Sequence, residues 1–539
     1  MPPSRSYGIP QRMAENRLTS PAKPLNLAYS FLHKHIDEGR SDKTALYVDY
    51  PDGSTVAMTY GELSQYSAQV GHELASRGIG LEDRVFIILD DNEDWAASFF
   101  GALGVGATCM FLNTKVTSEE IGFYLEDSRA KAVITNASVA ERMPSNSARL
   151  KTTVIIDNEE TKSAIRQHSG EPTLEATTEE DFAIWLYSSG STGAPKAAVH
   201  RARDFIYNTE RYAKEVLEMR ESDVTLSVPK LFFGYATGSN LMFPFYFGGS
   251  AILFPDRPTP PRLFDLIEKY KATVLINVPT MIAQMANLYE QDDFNVSSLR
   301  CVTSAGEALP PELYERWMKG PGVEILDGIG SAEMFHVFIS ARFGEVKKGS
   351  LGTIVPGYEA KIIRDDGREC EPGEVGTLWI GGGSSAAFYW QRAEKSRDVL
   401  QGYWVITGDQ FEKDQDGHYY YRGRADDLMK IGGRWLAPQE IEDALTRHDA
   451  VAEAGASSYK HEGLLKPMAF VILREGHEAS EALAKTLSDH VATITKPYKA
   501  PRFIEFITEL PRGDRDKLNR KALKSNAAVA AQARGLIAE

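Results

Sequence analysis

The sequence predicts an α/β protein with a large N-terminal domain of layered sheets and helices and a small α+β domain at its C-terminal end. Three observations carry this. The chain has 539 residues, too many for one hydrophobic core, so two or more domains are expected. Apolar β-type runs alternate with segments of helical period, the pattern of α/β layering. Near Asp426, within RGRADDLMKIGGRW, the chain restarts with short units, so the expected domains are 1–425 and 426–539.

In chain order, the expected strands include RVFIILD from Arg84, KAVIT from Lys131, TTVIID from Thr152, FAIWLY from Phe182 and ATVLIN from Ala272. Thr117 with Glu120 three positions later makes a capping-box pattern, and Ile121, Tyr124 and Leu125 continue it as an apolar stripe. Another helix follows Pro279. In the small domain, Pro438 opens a helix bearing Ile441, Ala444 and Leu445, FVIL follows as a strand, and Leu483, Leu487 and Val491 mark a second helix. Asp426, Asp427 and Gly432–Gly433 suit an exposed, bendable joint. There is no internal repeat and no low-complexity tract.

Composition narrows the function. The apolar content of 42% and charged content of 25% are those of an ordinary globular enzyme. A formal net charge of -15 argues against a nucleic-acid partner, and an anionic substrate would have to be held by local donors and cations. Three cysteines, Cys109, Cys301 and Cys370, lack metal-ligand spacing and read as structural thiols of a reducing compartment. No apolar run approaches the roughly 18 residues of a membrane span, and the first residues lack the apolar core of a secretory signal. A cytoplasmic protein without a membrane partner is expected, as a monomer or homodimer.

The most informative stretch is YSSGSTGAPKAAVH, from Tyr187 to His200. Ser188, Ser189, Ser191 and Thr192 surround Gly190 and Gly193, and Pro195 and Lys196 close the motif. Glycines let backbone N–H groups converge, hydroxyls add donors and the lysine adds a point charge, which together make a polyphosphate cradle. A Walker-type loop needs Ser or Thr after Gly-Lys; here Pro195 precedes Lys196 and Ala197 follows it, so that reading fails. A surface Ser/Gly linker is the plain alternative, but such linkers seldom sit directly behind a buried-strand run such as FAIWLY.

Two Gly-punctuated acidic loops lie downstream, SAGEALP (Ser304 to Pro310, with Gly306 and Glu307) and LDGIGSAEMFH (Leu326 to His336, with Asp327, Gly328, Gly330 and Glu333). In open α/β sheets, loops of this kind sit at the carboxyl ends of strands, where ligands bind. Glu333 is a hard oxygen donor suited to magnesium, although an isolated glutamate would read as a solvated surface residue. ITGDQF places Asp409 where a carboxylate could accept ribose hydroxyls. LPRGDRDKLNRKALK, with Lys517 at its centre, reads by composition as a solvated charged tail.

Taken together and in this order, YSSGSTGAPK, SAGEALP, DGIGSAEMFH, TGDQF, RGRADDLMKIGGRWLAPQEIE and LPRGDRDKLNRKAL resemble the adenylate-forming acyl-CoA synthetases over nearly the whole chain. Within that superfamily, KLFFGYATG, FPDRPTP, EMFHVFIS, EGLLKP and KPYKAPRFIEF look like the benzoate–CoA ligase branch. The resemblance implies an N-terminal domain for ATP and an aromatic carboxylic acid, and a C-terminal domain that swings as a lid. It implies that Thr192 and Lys196 hold the β- and γ-phosphates within the Ser188–Gly193 cradle, and that Glu333 holds Mg2+. Asp409 and Arg424 would bind the ribose, Glu307 and Asp327 would line the adenine, and Gly306 and Gly328 would belong to the same ATP site. Asp426 becomes the hinge, Lys517 the adenylation lysine and Gly432–Gly433 the approach for coenzyme A. Gly234, Tyr235, Gly330 and His336 would line the acid pocket, with ordinary packed core as the alternative for Tyr235 and His336.

Three residues depart from the family pattern. Ala332 stands where Thr is usual, removing a hydroxyl from the phosphate-contacting loop. Asp516 stands where Gly commonly precedes the lysine, and Ala197 replaces a frequent Gly. The expected function is an ATP-dependent aryl-acid–CoA ligase acting through an acyl-adenylate, with ATP, Mg2+ and coenzyme A. The alternatives are an adenylating ligase for a non-aromatic cyclic or short acid, a carrier-loading enzyme, or a non-catalytic nucleotide-binding paralogue.

Overall fold

Apolar runs with no polar alternation belong in sheets covered on both faces, and this is where the structure puts them. The computed structural model describes residues 22–144, 149–188, 194–425, 427, 429–431, 434–461, 464–512 and 518–536. The chain forms two compact units, one of Met1–Leu186, Val199–Tyr207 and Phe245–Pro255, the other of Tyr187–Ala198, Asn208–Pro244 and Asp256–Glu539.

In the first unit, Arg84–Ile88 lies between the parallel strands Thr108–Phe111 and Ala132–Thr135, and Thr152–Ile155 extends the sheet beyond the latter. The expected runs at Arg84, Lys131 and Thr152 are therefore strands, as is Phe182–Ser188. The helix Ser118–Ser128 starts at the expected capping box: the Glu120 N–H donates to the Thr117 hydroxyl at 3.2 Å, and the Thr117 N–H donates to the Glu120 carboxylate at 2.7 Å.

The second unit contains four parallel strands in the order Val224–Ser227, Val274–Asn277, Cys301–Ser304 and Ile325–Gly330. Two antiparallel strands, Val337–Ser340 and Thr353–Ile354, continue the same sheet. The helices between them, Pro260–Tyr270, Pro279–Tyr289 and Pro311–Lys319, each carry proline in the first turn, where its missing N–H costs nothing. SAGEALP leaves the carboxyl end of Cys301–Ser304, as expected. The first half of LDGIGSAEMFH is not loop: Ile325–Gly330 is strand, and the chain turns only at Ser331. A separate antiparallel sheet runs Glu359–Ile363, Gly376–Gly381, Trp404–Lys413 and Tyr419–Arg424, and its register sets Asp409 opposite Arg424.

The C-terminal region builds a small α+β layer of its own. Val451–His461 and Leu464–Leu473 pair antiparallel, and Ile504–Phe506 adds a parallel strand. Side chains alternate across this sheet. Ala469 and Val471 pack with Ile441 and Leu445 of helix Pro438–Thr446 and Leu487 and Val491 of helix Glu481–Ile494. Met468 and Phe470 pack with Leu523, Ala527 and Ala531 of helix Arg520–Ala533 on the other face. The three cysteines are unpaired, Cys109 and Cys301 buried and Cys370 partly so. Among the described residues no helix is long and apolar enough to cross a membrane.

Candidate active site

The site is built around the turn that joins Ile325–Gly330 to Val337–Ser340. The register shifts between Ile329 and Gly330, where a bulge leaves Phe338 of the facing strand without an opposite residue. Gly330 is obligatory there, because a Cβ would fall 2.5 Å from the carbonyl oxygen of His336. The segment then makes a short 3-10 turn, Ala332–Met334, and a tight reversal at Phe335, with φ 68° and ψ -55°. The N–H of His336 donates to the Met334 carbonyl at 2.9 Å, which closes a γ-turn. This conformation is strained for a bulky residue, by roughly 1–3 kcal/mol, and needs support from its surroundings.

Support comes from a buried relay with one possible direction. Asn208 donates to the Val337 carbonyl at 3.1 Å and to the Tyr358 hydroxyl at 2.8 Å. The Ser384 hydroxyl donates to the Met334 carbonyl at 2.9 Å, so it accepts from Tyr358, 2.7 Å away. The two carbonyls that flank the strained turn are thus both clamped.

The turn sets His336 among aromatic rings, with centroids 4.7 Å from Phe243, 5.2 Å from Tyr235 and 5.4 Å from Tyr212. Its Nε2 lies 3.0 Å from the Tyr235 carbonyl and 2.9 Å from the Ser239 hydroxyl. A carbonyl only accepts, so Nε2 carries the hydrogen and Nδ1 is the lone-pair nitrogen. Burial lowers the imidazole pKa to about 3, against the pull of the Tyr235 carbonyl, so the ring is neutral. It rests directly on Gly238, where a Cβ would come within 2.5 Å of its Cδ2. Half-buried Tyr235, in the helical turn Gly234–Ala236, shares a 2.7 Å hydrogen bond with Thr303, and burial raises its phenol pKa far above the ordinary value. The expected acid-pocket residues Gly234, Tyr235, Gly330 and His336 are therefore together.

On the other side of the same turn, Lys196 Nζ lies 3.2 Å from Glu333 Oε1 and 2.6 Å from the Tyr389 hydroxyl, and Tyr389 donates to that same Oε1. The ammonium also sits 3.9 Å from the centroid of the Tyr389 ring. Burial works to raise the Glu333 pKa, but the Lys196 charge and the Tyr389 hydroxyl outweigh it and hold the carboxyl below its usual value. An ionised carboxylate oxygen suits a hard divalent ion such as Mg2+. Nothing in the sequence reading pointed to Tyr389.

The remaining candidates are also placed. Arg424 Nη1 donates to Asp409 Oδ1 at 3.1 Å; burial raises the Asp409 pKa to about 6 even so. Thr280 donates its N–H (3.1 Å) and hydroxyl (2.6 Å) to Glu307 Oε2, so this carboxylate caps the helix Pro279–Tyr289. Gly306 follows Cys301–Ser304 with φ 90°, and Gly328 lies within Ile325–Gly330. Asp327 pairs in register with Ser304, and burial raises its pKa to about 7. Three buried polar atoms of one short segment have no hydrogen-bond partner among the described residues: Asp327 Oδ1, Ser331 Oγ and His336 Nδ1. Ser188 Oγ, at the end of Phe182–Ser188, is a further one. Buried polar groups without partners are rare and mark places where a ligand or water completes the bonding. Ser189, Gly190, Ser191, Thr192, Gly193, Asp426, Gly432, Gly433 and Lys517 lie outside the described residues.

Known proteins resemble the chain along its length. The profile of the family described as AMP-binding enzyme matches residues 33–390, and that of the AMP-binding enzyme C-terminal domain matches residues 440–517. The benzoate–CoA ligase of Thauera aromatica is 37% identical over 526 residues, which cover 95% of this chain and 99% of the relative. Among solved structures, the anthranilate CoA ligase AuaEII in complex with anthranoyl-AMP superposes with a TM-score of 0.87 at 36% identity, covering 94% of this chain and 98% of that one. A benzoate CoA ligase from Burkholderia xenovorans LB400 gives a TM-score of 0.83 at 36% identity, covering 93% and 100%.

Proposed function

The chain belongs to the AMP-binding enzyme family, and on that premise we propose that it is an ATP-dependent aryl-acid–CoA ligase that forms an acyl-adenylate and releases AMP and pyrophosphate. The observation that carries the choice of acid is the neutral His336 ring, buried with Tyr235, Tyr212 and Phe243 and fixed in one tautomer. A flat apolar slot with few polar groups suits a benzoate-type ring.

In this reading Gly234, Tyr235, Gly330 and His336 form the slot. The Ser188–Gly193 cradle, with Thr192 and Lys196, holds the phosphates. Glu307 and Asp327 line the adenine, with Gly306 and Gly328 in the same ATP site; Thr280 holds one oxygen of the Glu307 carboxylate. Asp409 meets the ribose, steadied by Arg424. Glu333 is the residue that would hold Mg2+, which when bound neutralises charge on the departing pyrophosphate.

A carboxylate is a poor nucleophile toward an anionic α-phosphate, so the site must align attack and supply cations. No general base is needed, because the acid is ionised at neutral pH. Lys196 supplies one cation, and Lys517, brought in by the 426–539 lid, supplies the one at the attacking carboxylate. Rotation about Asp426 then withdraws Lys517 and presents Gly432–Gly433, which leave room for the pantetheine arm of coenzyme A. The reading places the enzyme in the cytoplasm.

The test is acid-dependent pyrophosphate release and thioester formation, compared for benzoate, hydroxybenzoates, aminobenzoates and hexanoate. Benzoate or a substituted benzoate is expected to have the highest kcat/KM. A preference for hexanoate would refute the aryl slot, and ATP binding without turnover on any acid would make the chain a nucleotide-binding paralogue.

A further inference from the structure

Tyr389 lies outside the motifs singled out in the sequence and far along the chain from Lys196 and Glu333, yet its hydroxyl links these two charged groups. Its hydroxyl accepts from Lys196 Nζ at 2.6 Å and donates to Glu333 Oε1. Its backbone is pinned: the Tyr389 N–H donates to the Ser396 hydroxyl at 2.9 Å, and the Trp390 N–H donates to the Ala197 carbonyl at 3.0 Å. The same segment holds the glutamate's main chain, since the Ala386 N–H donates to the Glu333 carbonyl at 2.8 Å. The ring is 2% exposed and packs with Ala198, Ala386 and Ala332. A tyrosine needed only for packing would not require its hydroxyl between a lysine and a glutamate.

We propose that Tyr389 is a positioning residue for Glu333: its hydroxyl fixes the carboxylate's orientation when Lys196 turns from Glu333 to the nucleotide phosphates. This role presupposes Glu333 as the Mg2+ residue of the proposed function. Lys196 cannot serve both partners at full strength, so in the loaded enzyme the glutamate would lose one of its two donors. The Tyr389 hydroxyl is the donor that stays, because its ring and backbone are fixed independently of Lys196. Ala332 has a place in this account. Its methyl packs in the cluster that seats the Tyr389 ring, at the position where the family usually has a hydroxyl.

Tyr389→Phe tests this, because it keeps the ring and the face beneath Lys196 and removes only the oxygen. Loss of a hydrogen bond to a charged group should raise the Mg2+ concentration needed for half-maximal pyrophosphate release by about tenfold. The rate at saturating Mg2+ should change little. Calorimetry supplies a readout apart from turnover: the gain in affinity for a non-hydrolysable ATP analogue on adding Mg2+ should shrink in the variant, while Mg2+-free binding stays within about twofold. Thioester formation from supplied benzoyl-adenylate and coenzyme A should be unchanged. In a Glu333→Gln background, Tyr389→Phe should shift the Mg2+ requirement no further. An unchanged Mg2+ requirement, equal losses with and without Mg2+, or a variant that fails to fold would each overturn the proposal. Failure of the ligase reading would look different, since the parent protein itself would then release no acid-dependent pyrophosphate.

Discussion

His336 and Glu333 stand three residues apart on one turn and are held by opposite means. His336 is held by shape: a neutral ring rests on a glycine, is walled by aromatics, has its hydrogen fixed on Nε2, and is carried by a strained γ-turn that a buried relay clamps. The Glu333 carboxylate is held by charge and one hydroxyl, an ammonium and a phenol among the described residues. Packed neutral contacts resist rearrangement because every shift opens a void or a clash. An ion pair with a lysine can be exchanged for another cation with little movement. In the proposed reading, one turn would offer a rigid surface to an aryl ring and an exchangeable one to a metal and phosphates.

The largest expected effect sharpens this contrast with a third cation. Lys517→Ala should slow adenylate formation by about 10²–10³, the usual cost of losing one preorganised transition-state donor. Conversion of supplied acyl-adenylate to thioester should stay near normal, and pre-steady-state measurement of each half-reaction checks it. Equal losses in both steps would refute the swinging lid, and no loss in either would return the segment to a solvated tail.

A smaller effect probes the rigid end. In Gly238→Ala the new methyl meets the His336 ring at 2.5 Å and Phe243 at 3.3 Å. Overpacking of this kind costs about 1–3 kcal/mol. Where it is relieved by displacing the imidazole, the KM for benzoate should rise roughly tenfold or more, tenfold corresponding to ~1.4 kcal/mol. Steady-state kinetics with the acid varied at saturating ATP would show it.

The smallest effect concerns Asp327. Its folded pKa of about 7 lies above the ordinary aspartate value of 3.8, so the native state binds this proton more tightly than the unfolded chain does. That contribution to stability is present at low pH and disappears as pH rises through about 7. Asp327→Asn cannot ionise, so its Tm relative to the parent should improve between pH 5 and pH 8, by roughly 2–4 °C for each ~1 kcal/mol. Calorimetry of the nucleotide-free proteins at both pH values decides it; a constant difference would mean that Asp327 does not titrate in this range.

The frame of this fold is written locally. The capping box at Thr117, the prolines that open Pro279–Tyr289 and Pro438–Thr446, and the unbroken apolar runs each act within a few residues, so they could be read directly. Glycine-rich acidic segments at strand ends marked the site for the same reason. The strand Ile325–Gly330 extended past its expected end because Gly328 and Gly330 pair with Ser340 and Val337, which no local rule foresees. Tyr389, Thr303 and the Asn208–Tyr358–Ser384 relay were illegible because their partners lie tens to more than a hundred positions away. Phe335 was illegible for another reason: a γ-turn with positive φ normally advertises itself by glycine, and here tertiary clamps take the glycine's place.

The most direct test of the division between the two ends is a matrix of apparent constants for acid and for Mg2+, measured by pyrophosphate release on the parent, Gly238→Ala and Tyr389→Phe. Gly238→Ala is expected to raise the constant for benzoate and leave that for Mg2+ in place, while Tyr389→Phe does the reverse. If both variants move both constants together, the turn acts as one unit and the division drawn here is wrong.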